Sequence, residues 1–488
     1  MPIAAIMVQG TGSNVGKSTL VAGLARAFAR RGIRVLPFKP QNTSNNAAIT
    51  EDGGEIGRAQ SLQAQAARVP ASVHMNPVLL KPQSTSTSQI IVQGRLWGTL
   101  DAANAGRYVS ELLAVALQSF DILAKQGELI LVEGAGSPAE INLRSTDMAN
   151  MQFAAAARVP VVLVGDIDRG GVIASIAGTR IILEPQDANR IRGFIINKFR
   201  GDENSAREIS GIIETASGWP GLGTLPWLPE LIRLPAEDVM SLPEKRLTAG
   251  GILRVAIPIL PSIANFDDLD PLLGEKDVQV TYVRASAPLP ADATLVIVPG
   301  SKSTVRDLLF LRQQGWDVDI AAHVRRGGHI LGICGGYQML GKVIVDAYGV
   351  EGAPSRVAGL GFLDVETSLT QQKTTRLIEG RHLESGKLVR GYEIHMGETQ
   401  GADCARPLLE IEGRFDGASS PDGRIQGTYV HGLLSADEFR RHYLSRFGVV
   451  SKLAYDADVD AILDRLADCI EANIDVSRVL EIARSRCV

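Results

Sequence analysis

The stretch Ile3-Ala-Ala-Ile-Met-Val-Gln-Gly-Thr-Gly-Ser-Asn-Val-Gly-Lys-Ser-Thr19 decides how the first half of this chain is read. Ile3 to Val8 is short and apolar, as a buried strand is. Ser18 to Arg31 is rich in Ala, Leu and Arg, and Gly32 stands where a helix C-terminus favours glycine. A strict phosphate-binding loop would carry glycine at position 11. Here Thr11 stands there, flanked by Gly10 and Gly12, so the loop is a variant. The mechanism survives: glycines let backbone N–H groups converge on phosphate oxygens, and the helix N-terminus adds positive potential. The expected ATP-binding residues are therefore Thr11, Gly12, Ser13, Asn14, Val15, Gly16, Lys17, Ser18 and Thr19. Lys17 would reach the β- and γ-phosphates, and Ser18 would offer its hydroxyl to Mg2+.

The same buried-strand signature returns at Leu129 to Val132, Val159 to Val164 and Phe194 to Ile196. Helical stretches separate these runs, which predicts a parallel sheet with helices on both faces. Open sheets of this kind bind ligands at the C-terminal edge. Glu133 ends one strand at that edge, so it is the first candidate carboxylate for Mg2+, a hard ion that takes oxygen ligands. Glu55 is the second metal candidate. Asp166 and Asp168 also follow a strand and read equally as site or turn. Asn197, in Ile195-Ile-Asn-Lys198, is placed to read a nucleotide base.

Composition changes between about Pro235 and Gly251, where a polar stretch ends in paired glycines. The expected division is an ATP-binding domain over 1–240, a linker over 241–252, a second domain over 253–450 and a helical tail over 451–488. Strand-like runs at Leu253 to Ile259, Thr294 to Val298 and His329 to Ile333 make the second domain α/β as well. A chain of 488 residues with a net charge of −4 has no basic face for nucleic acid. Its four cysteines form no CxxC pair, which argues against a zinc site or a disulfide framework. No apolar run is long enough to span a bilayer, and the apolar N-terminal stretch lacks the flanks of a signal peptide. The expected location is the cytoplasm, with no membrane and no nucleic acid as partner and a homo-oligomer allowed.

Residues 328–336 read Gly328-His-Ile-Leu-Gly-Ile-Cys-Gly-Gly336. A strand, a cysteine, paired glycines and then the helical Tyr337 to Leu340 form the grammar of a nucleophile elbow. A thiol at a helix N-terminus is activated. Two histidines compete as its base, His431 in Gly427-Thr-Tyr-Val-His-Gly432 and His395 in Gly391-Tyr-Glu-Ile-His-Met-Gly397. Oxyanion donors are expected from the backbone of Gly335 and of the turn at Gly300, which ends the strand Thr294 to Val298.

With both centres on the page, the chain resembles the cobyric acid synthase family, glutamine-hydrolysing enzymes of cobalamin biosynthesis. The stretches that carry the resemblance run the length of the sequence. They include Pro37-Phe-Lys-Pro-Gln-Asn-Thr-Ser-Asn-Asn46, Met75-Asn-Pro-Val-Leu-Leu-Lys-Pro82, Ser137-Pro-Ala-Glu-Ile-Asn-Leu-Arg144, Asp166-Ile-Asp-Arg-Gly-Gly171, Ile196-Asn-Lys-Phe-Arg-Gly-Asp202 and Leu331-Gly-Ile-Cys-Gly-Gly-Tyr-Gln-Met-Leu340. The resemblance implies a dethiobiotin synthetase-like P-loop domain fused to a class I-type, flavodoxin-like glutamine amidotransferase domain. It implies Cys334 as nucleophile, His431 as base, ATP, Mg2+ and L-glutamine as reactants and cofactor, and a corrinoid as the small-molecule partner. The implied reaction is amidation of the b, d, e and g carboxylates of adenosylcobyrinic acid a,c-diamide. The nearest alternative is cobyrinic acid a,c-diamide synthase, against which the stretches at 37–42 and 137–143 speak. Commoner class I relatives carry His-Pro-Glu, whereas this chain has His431-Gly432-Leu433, so the group orienting His431 is open, with Glu393 and His395 as candidates. Lys39, Gln41, Asn42, Asn45, Asn46 and Lys81 are the polar residues expected to contact the acidic substrate.

Overall fold

The computed structural model describes residues 3–83, 87–101, 106–235 and 250–485. Most of the linker expected at 241–252 lies outside them.

The first half is built on six strands: β1 (Ala4–Gly10), β2 (Val35–Phe38), β3 (Leu129–Glu133), β4 (Val161–Asp166), β5 (Ile191–Phe199) and β6 (Gly221–Pro226). They lie in the order β6-β5-β4-β1-β3-β2, all parallel. β3 and β4 are buried along their whole length, which is why they read as unbroken apolar runs. Helix α1 (Lys17–Arg30) leaves the C-terminal end of central β1. Its first residue is therefore at the sheet edge that the sequence assigns to phosphate. Helix α2 (Arg58–Ala66) packs against α1. A four-stranded sheet (Gln41–Thr43, Val78–Pro82, Thr87–Val92, Arg95–Asp101) and a short hairpin (Ala47–Ile49 with Glu55–Gly57) project from this body.

In the second half β7 (Leu253–Pro258), β8 (Val278–Val283), β9 (Leu295–Val298) and β10 (His329–Ile333) join the strand Ile425–Thr428 in a parallel sheet, with Ala418–Ser419 antiparallel at its edge. Helix α3 (Thr304–Gln313) follows β9, and α4 (Gly335–Leu340) follows β10. A second, mostly antiparallel sheet is centred on the long hairpin Glu366–His382/Leu388–Gln400. The two sheets are stitched by one crossing. The strand Ile425–Thr428 runs almost directly into Val430–His431, which pairs with Tyr392 and Glu393 of the hairpin.

The halves share a small apolar cluster, in which Ala47, Ile49, Leu79 and Ile91 of the first meet Tyr392 and Ile394 of the second. Helices α5 (Tyr455–Asn473) and α6 (Val476–Arg484) then return to the first half. Leu463, Leu466, Ile470 and Ile482 join Leu20, Val21 and Leu24 of α1 in one core. α1 and α5 approach so closely at Gly23 that an added Cβ would lie 2.3 Å from Ile470 Cδ1. Arg26, fully buried, pairs with Asp460 at 2.5 Å across the same contact.

Candidate active site

The turn from β10 into α4 gives Cys334 a φ of 51° and ψ of −108°. A non-glycine residue is held there only when its surroundings over-determine it. Gly335 and Gly336 pack tightly enough to do so: a Cβ on Gly336 would lie 1.9 Å from the Val298 carbonyl oxygen, and one on Gly335 would lie 2.8 Å from Ser301 N. The Cys334 amide donates to the Thr428 carbonyl at 2.8 Å, fixing the nucleophile against the strand that leads to His431. Cys334 is 7% exposed and His431 1%. Both line a cavity of about 600 Å³, its mouth included, with Ser301, Lys302, Gln338, Ile394 and His395.

The missing orienting group is Asp268. Its Oδ2 lies 2.7 Å from His431 Nδ1, and its Oδ1 accepts the Gly432 amide at 2.6 Å. Burial opposes charge on His431, but Asp268 and Cys334 act by charge and hydrogen bonding to push its pKa up to about 10. His431 Nε2 is buried with no other hydrogen-bond partner among the described residues. The Tyr392 ring stacks on the imidazole, centroids 5.3 Å apart and planes 19° from parallel. Neither sequence candidate for the orienting role fills it. Glu393 is held by Arg376 and Arg414. His395 bonds the Gly397 carbonyl at 2.9 Å, stacks on Tyr429, and burial pulls its pKa down to about 4. Gly300 packs on the imidazole, where an added Cβ would sit 2.9 Å from His431 Cε1. Gly300 and Gly335, the expected oxyanion donors, thus flank the same Cys334–His431 pair.

At the other centre, Lys17 Nζ donates to the Gly12 and Gly136 carbonyls at 2.9 and 3.2 Å. Ser18 Oγ donates to Glu133 Oε1 at 2.7 Å. The fully buried Glu133 also accepts Lys39 Nζ at 2.8 Å and Gln63 Nε2 at 2.5 Å. A hydroxyl and a carboxylate side by side at the helix N-terminus are the hard-oxygen pair Mg2+ takes, with phosphates and water completing the shell. No cluster of three His, Cys, Asp or Glu residues suited to a metal exists among the described residues.

Glu55, the second metal candidate, is buried with its oxygens on the ammonium groups of Lys81 and Lys373; against burial, these lower its pKa to about 2. Lys81 lines the Cys334 cavity. Lys39 is buried on Glu133, and Asn42 is buried with its amide on Gln60 and Thr43. Asn46 is fully buried beside Ser44, and Asn45 bonds the Pro82 carbonyl and, through its own carbonyl, the Asn265 amide of the second half. Gln41 is partly exposed. Asn197 donates to the Val15 carbonyl at 2.8 Å and accepts the Lys198 amide, so its side chain ties down the phosphate loop and does not project toward a base. Asp166 at the end of β4 and Asp168 just beyond it are ion-paired, on Lys198 and Arg200. Ser13 and Asn14 at the loop tip are exposed.

The two centres touch a common seam. Gln60 and Gln63 of α2 reach Glu133, while Arg58 at the start of α2 pairs with Asp267 at 3.2 Å, one residue from Asp268. Among the described residues, no helix is long and apolar enough to cross a membrane.

Comparison with known families agrees with this two-part construction. Residues 6–242 match the CobQ/CobB/MinD/ParA nucleotide binding domain, and residues 254–439 match the CobB/CobQ-like glutamine amidotransferase domain. A cobyric acid synthase of Paracoccus denitrificans (strain Pd 1222) is 57% identical over 99% of this chain and all of that relative. One of Cereibacter sphaeroides (strain ATCC 17025 / ATH 2.4.3) is 56% identical over 98% of this chain and all of that relative. One of Methylobacterium nodulans (strain LMG 21967 / CNCM I-2342 / ORS 2060) is 55% identical over 99% of this chain and, again, all of that relative. With identity of this order maintained from end to end across both halves, the chain belongs to the cobyric acid synthase family of glutamine amidotransferases.

Proposed function

We propose that this enzyme uses ATP and glutamine to amidate the b, d, e and g carboxylates of adenosylcobyrinic acid a,c-diamide, giving adenosylcobyric acid. The observation that carries the reading is the joining of two chemistries in one chain: a strained Cys334 beside an Asp268-oriented His431, and a phosphate loop whose Ser18 meets Glu133. In this division residues 1–240 form the amide-forming domain and 253–450 the glutaminase, and the helical tail at 451–488 packs into the core of the first; the reaction belongs to the cytoplasm.

A carboxylate is a poor electrophile, so it must be activated before ammonia can displace anything from it. The substrate carboxylate attacks the γ-phosphorus of ATP, releasing ADP and leaving an acyl phosphate. Lys17 and the amides of the loop neutralise charge on the phosphates, and positioning supplies most of the rate. Ser18 and Glu133 would hold Mg2+, which screens the same phosphate charge when bound. In the second domain the Cys334 thiolate attacks the side-chain amide of glutamine. Gly300 and Gly335 donate backbone N–H groups to the oxyanion. The His431 imidazolium protonates the departing ammonia, and water then cleaves the glutamyl thioester with His431 as base. Ammonia displaces phosphate from the acyl phosphate and the amide is formed.

The test is mass spectrometry of the corrinoid after incubation with ATP and glutamine labelled with 15N at the amide. Four labelled amides per corrinoid are expected. A product lacking label, or one labelled only at the a and c positions of the unamidated acid, would overturn the reading.

A further inference from the structure

The Cys334 cavity is not lined by its own domain alone. Lys81 of the first half reaches it, beside Lys302, Glu351 and Lys373 of the second. Three ammonium groups therefore meet two carboxylates, Glu55 and Glu351, one negative charge too few. Glu55 is buried and divides its oxygens between Lys81 and Lys373. Glu351 accepts the Val305 amide at 2.9 Å in the first turn of α3. Lys302 is left over. Among the described residues its Nζ makes no hydrogen bond and no ion pair, although its backbone is fixed by donation to the Ser262 carbonyl at 2.8 Å. Burial, with Lys373 and Lys81 nearby, lowers its pKa to about 7 even though Glu351 and Glu55 attract it at longer range. An ammonium group kept in a poorly solvated cavity beside two other cations costs free energy unless an anion arrives to meet it.

The placement says which anion. Lys302 follows Ser301, whose backbone nitrogen lies against Gly335 next to the nucleophile. A ligand with its amide at Cys334 and a carboxylate at the other end of a short chain would span from the thiol to this cation. We propose that Lys302 anchors the α-carboxylate of the glutamine whose side-chain amide Cys334 attacks, and so selects an amino-acid amide over a simple amide. Lys81 and Lys373 each already donate to Glu55, so their ammonium groups are held against the wall while that of Lys302 is free to turn toward a ligand. The inference deepens the glutaminase reading and rests on it.

The experiment compares Lys302→Gln and Lys302→Arg with the wild type in three assays. Glutamate release gives kcat and KM for glutamine. Competitive inhibition of that reaction is measured with 4-aminobutanamide, the same chain without its α-carboxylate. Ammonia-driven amidation of the corrinoid shows that each variant is folded. Removing one partner of a desolvated charge pair predicts a KM for glutamine raised about 30- to 100-fold in Lys302→Gln, with kcat changed less than about threefold. Lys302→Arg recovers most of the loss, and 4-aminobutanamide binds the wild type and Lys302→Gln alike. A glutamine KM within about threefold of wild type in Lys302→Gln would overturn the inference, as would equal weakening of both ligands. Absence of glutamate release from the wild type would instead sink the glutaminase reading itself.

Discussion

Replacing Asp268 by asparagine perturbs the Cys334 centre at one atom while keeping side-chain size. Asp268 now binds His431 Nδ1 with one oxygen and the Gly432 amide with the other. An asparagine can keep only one of these contacts well. If its oxygen stays on the Gly432 amide, its NH2 faces Nδ1, which must then act as acceptor, and the proton moves to Nε2. In that tautomer the imidazole cannot take a proton from Cys334. The charge is lost too, and the Asp268 carboxylate is the strongest influence raising His431 against burial. The same exchange in serine triads costs about 10⁴ in kcat. A thiol ionises more readily than a hydroxyl, so a loss of about 10² to 10⁴ is expected here, or roughly 2.7–5.4 kcal/mol of transition-state stabilisation. Glutamate release should fall by that factor while ammonia-driven amidation is unchanged. The pH dependence follows with a definite sign. The folded pKa of His431 is raised, so its contribution to stability is complete below about 6.5 and is lost as pH rises through about 10. Asp268→Asn shifts that alkaline loss to lower pH. A fall in glutamate release smaller than tenfold, or an equal fall in both activities, would refute the assignment of Asp268.

Gly300→Ala would drive a methyl to within 2.9 Å of His431 Cε1 and of the Ala264 carbonyl oxygen; glutaminase activity should drop about 10- to 100-fold, with ammonia-driven amidation spared. Glu55→Gln would leave Lys81 and Lys373 buried and uncompensated, and should destabilise the fold by about 3–5 kcal/mol in a denaturant titration. Its Mg2+ dependence should match wild type, because the carboxylate lies with the lysines and not with Ser18. Lys17→Ala removes the cation expected to meet the phosphates; ATP-dependent amidation should fall at least about 10³-fold with either nitrogen source, while glutamate release persists.

The parallel strands were legible because burial on both faces makes them continuous apolar runs, punctuated by glycine. The phosphate loop and Cys334 were legible for the related reason that tight turns write themselves as Gly10, Gly12, Gly16, Gly335 and Gly336. Asp268 was not. It sits in Phe266-Asp-Asp-Leu269, which reads as a polar turn, and its partner is 163 residues away. Only a pairing between two sheets brings them together. The hairpin Glu366–His382/Leu388–Gln400 escaped for want of an apolar run, its polar side chains lying on a half-exposed surface. Glu55 and Lys81 show the limit most plainly. A sequence displays their charges, but whether a carboxylate meets a metal or two ammonium groups depends on how one half docks on the other.

Helices α5 and α6 close the core around α1, so the ATP-binding half is made of the beginning and the end of the chain. Among the described residues, the core of the other half is built from residues between 253 and 449. On a ribosome adding about 5–20 residues per second, the apolar side of α1 waits roughly 20–90 s for its cover. The portion that liberates ammonia can settle during that interval, before the portion that consumes it. Birth order in this polypeptide is thus nested, with the inner module finished first and the outer one sealed by the last helices to emerge.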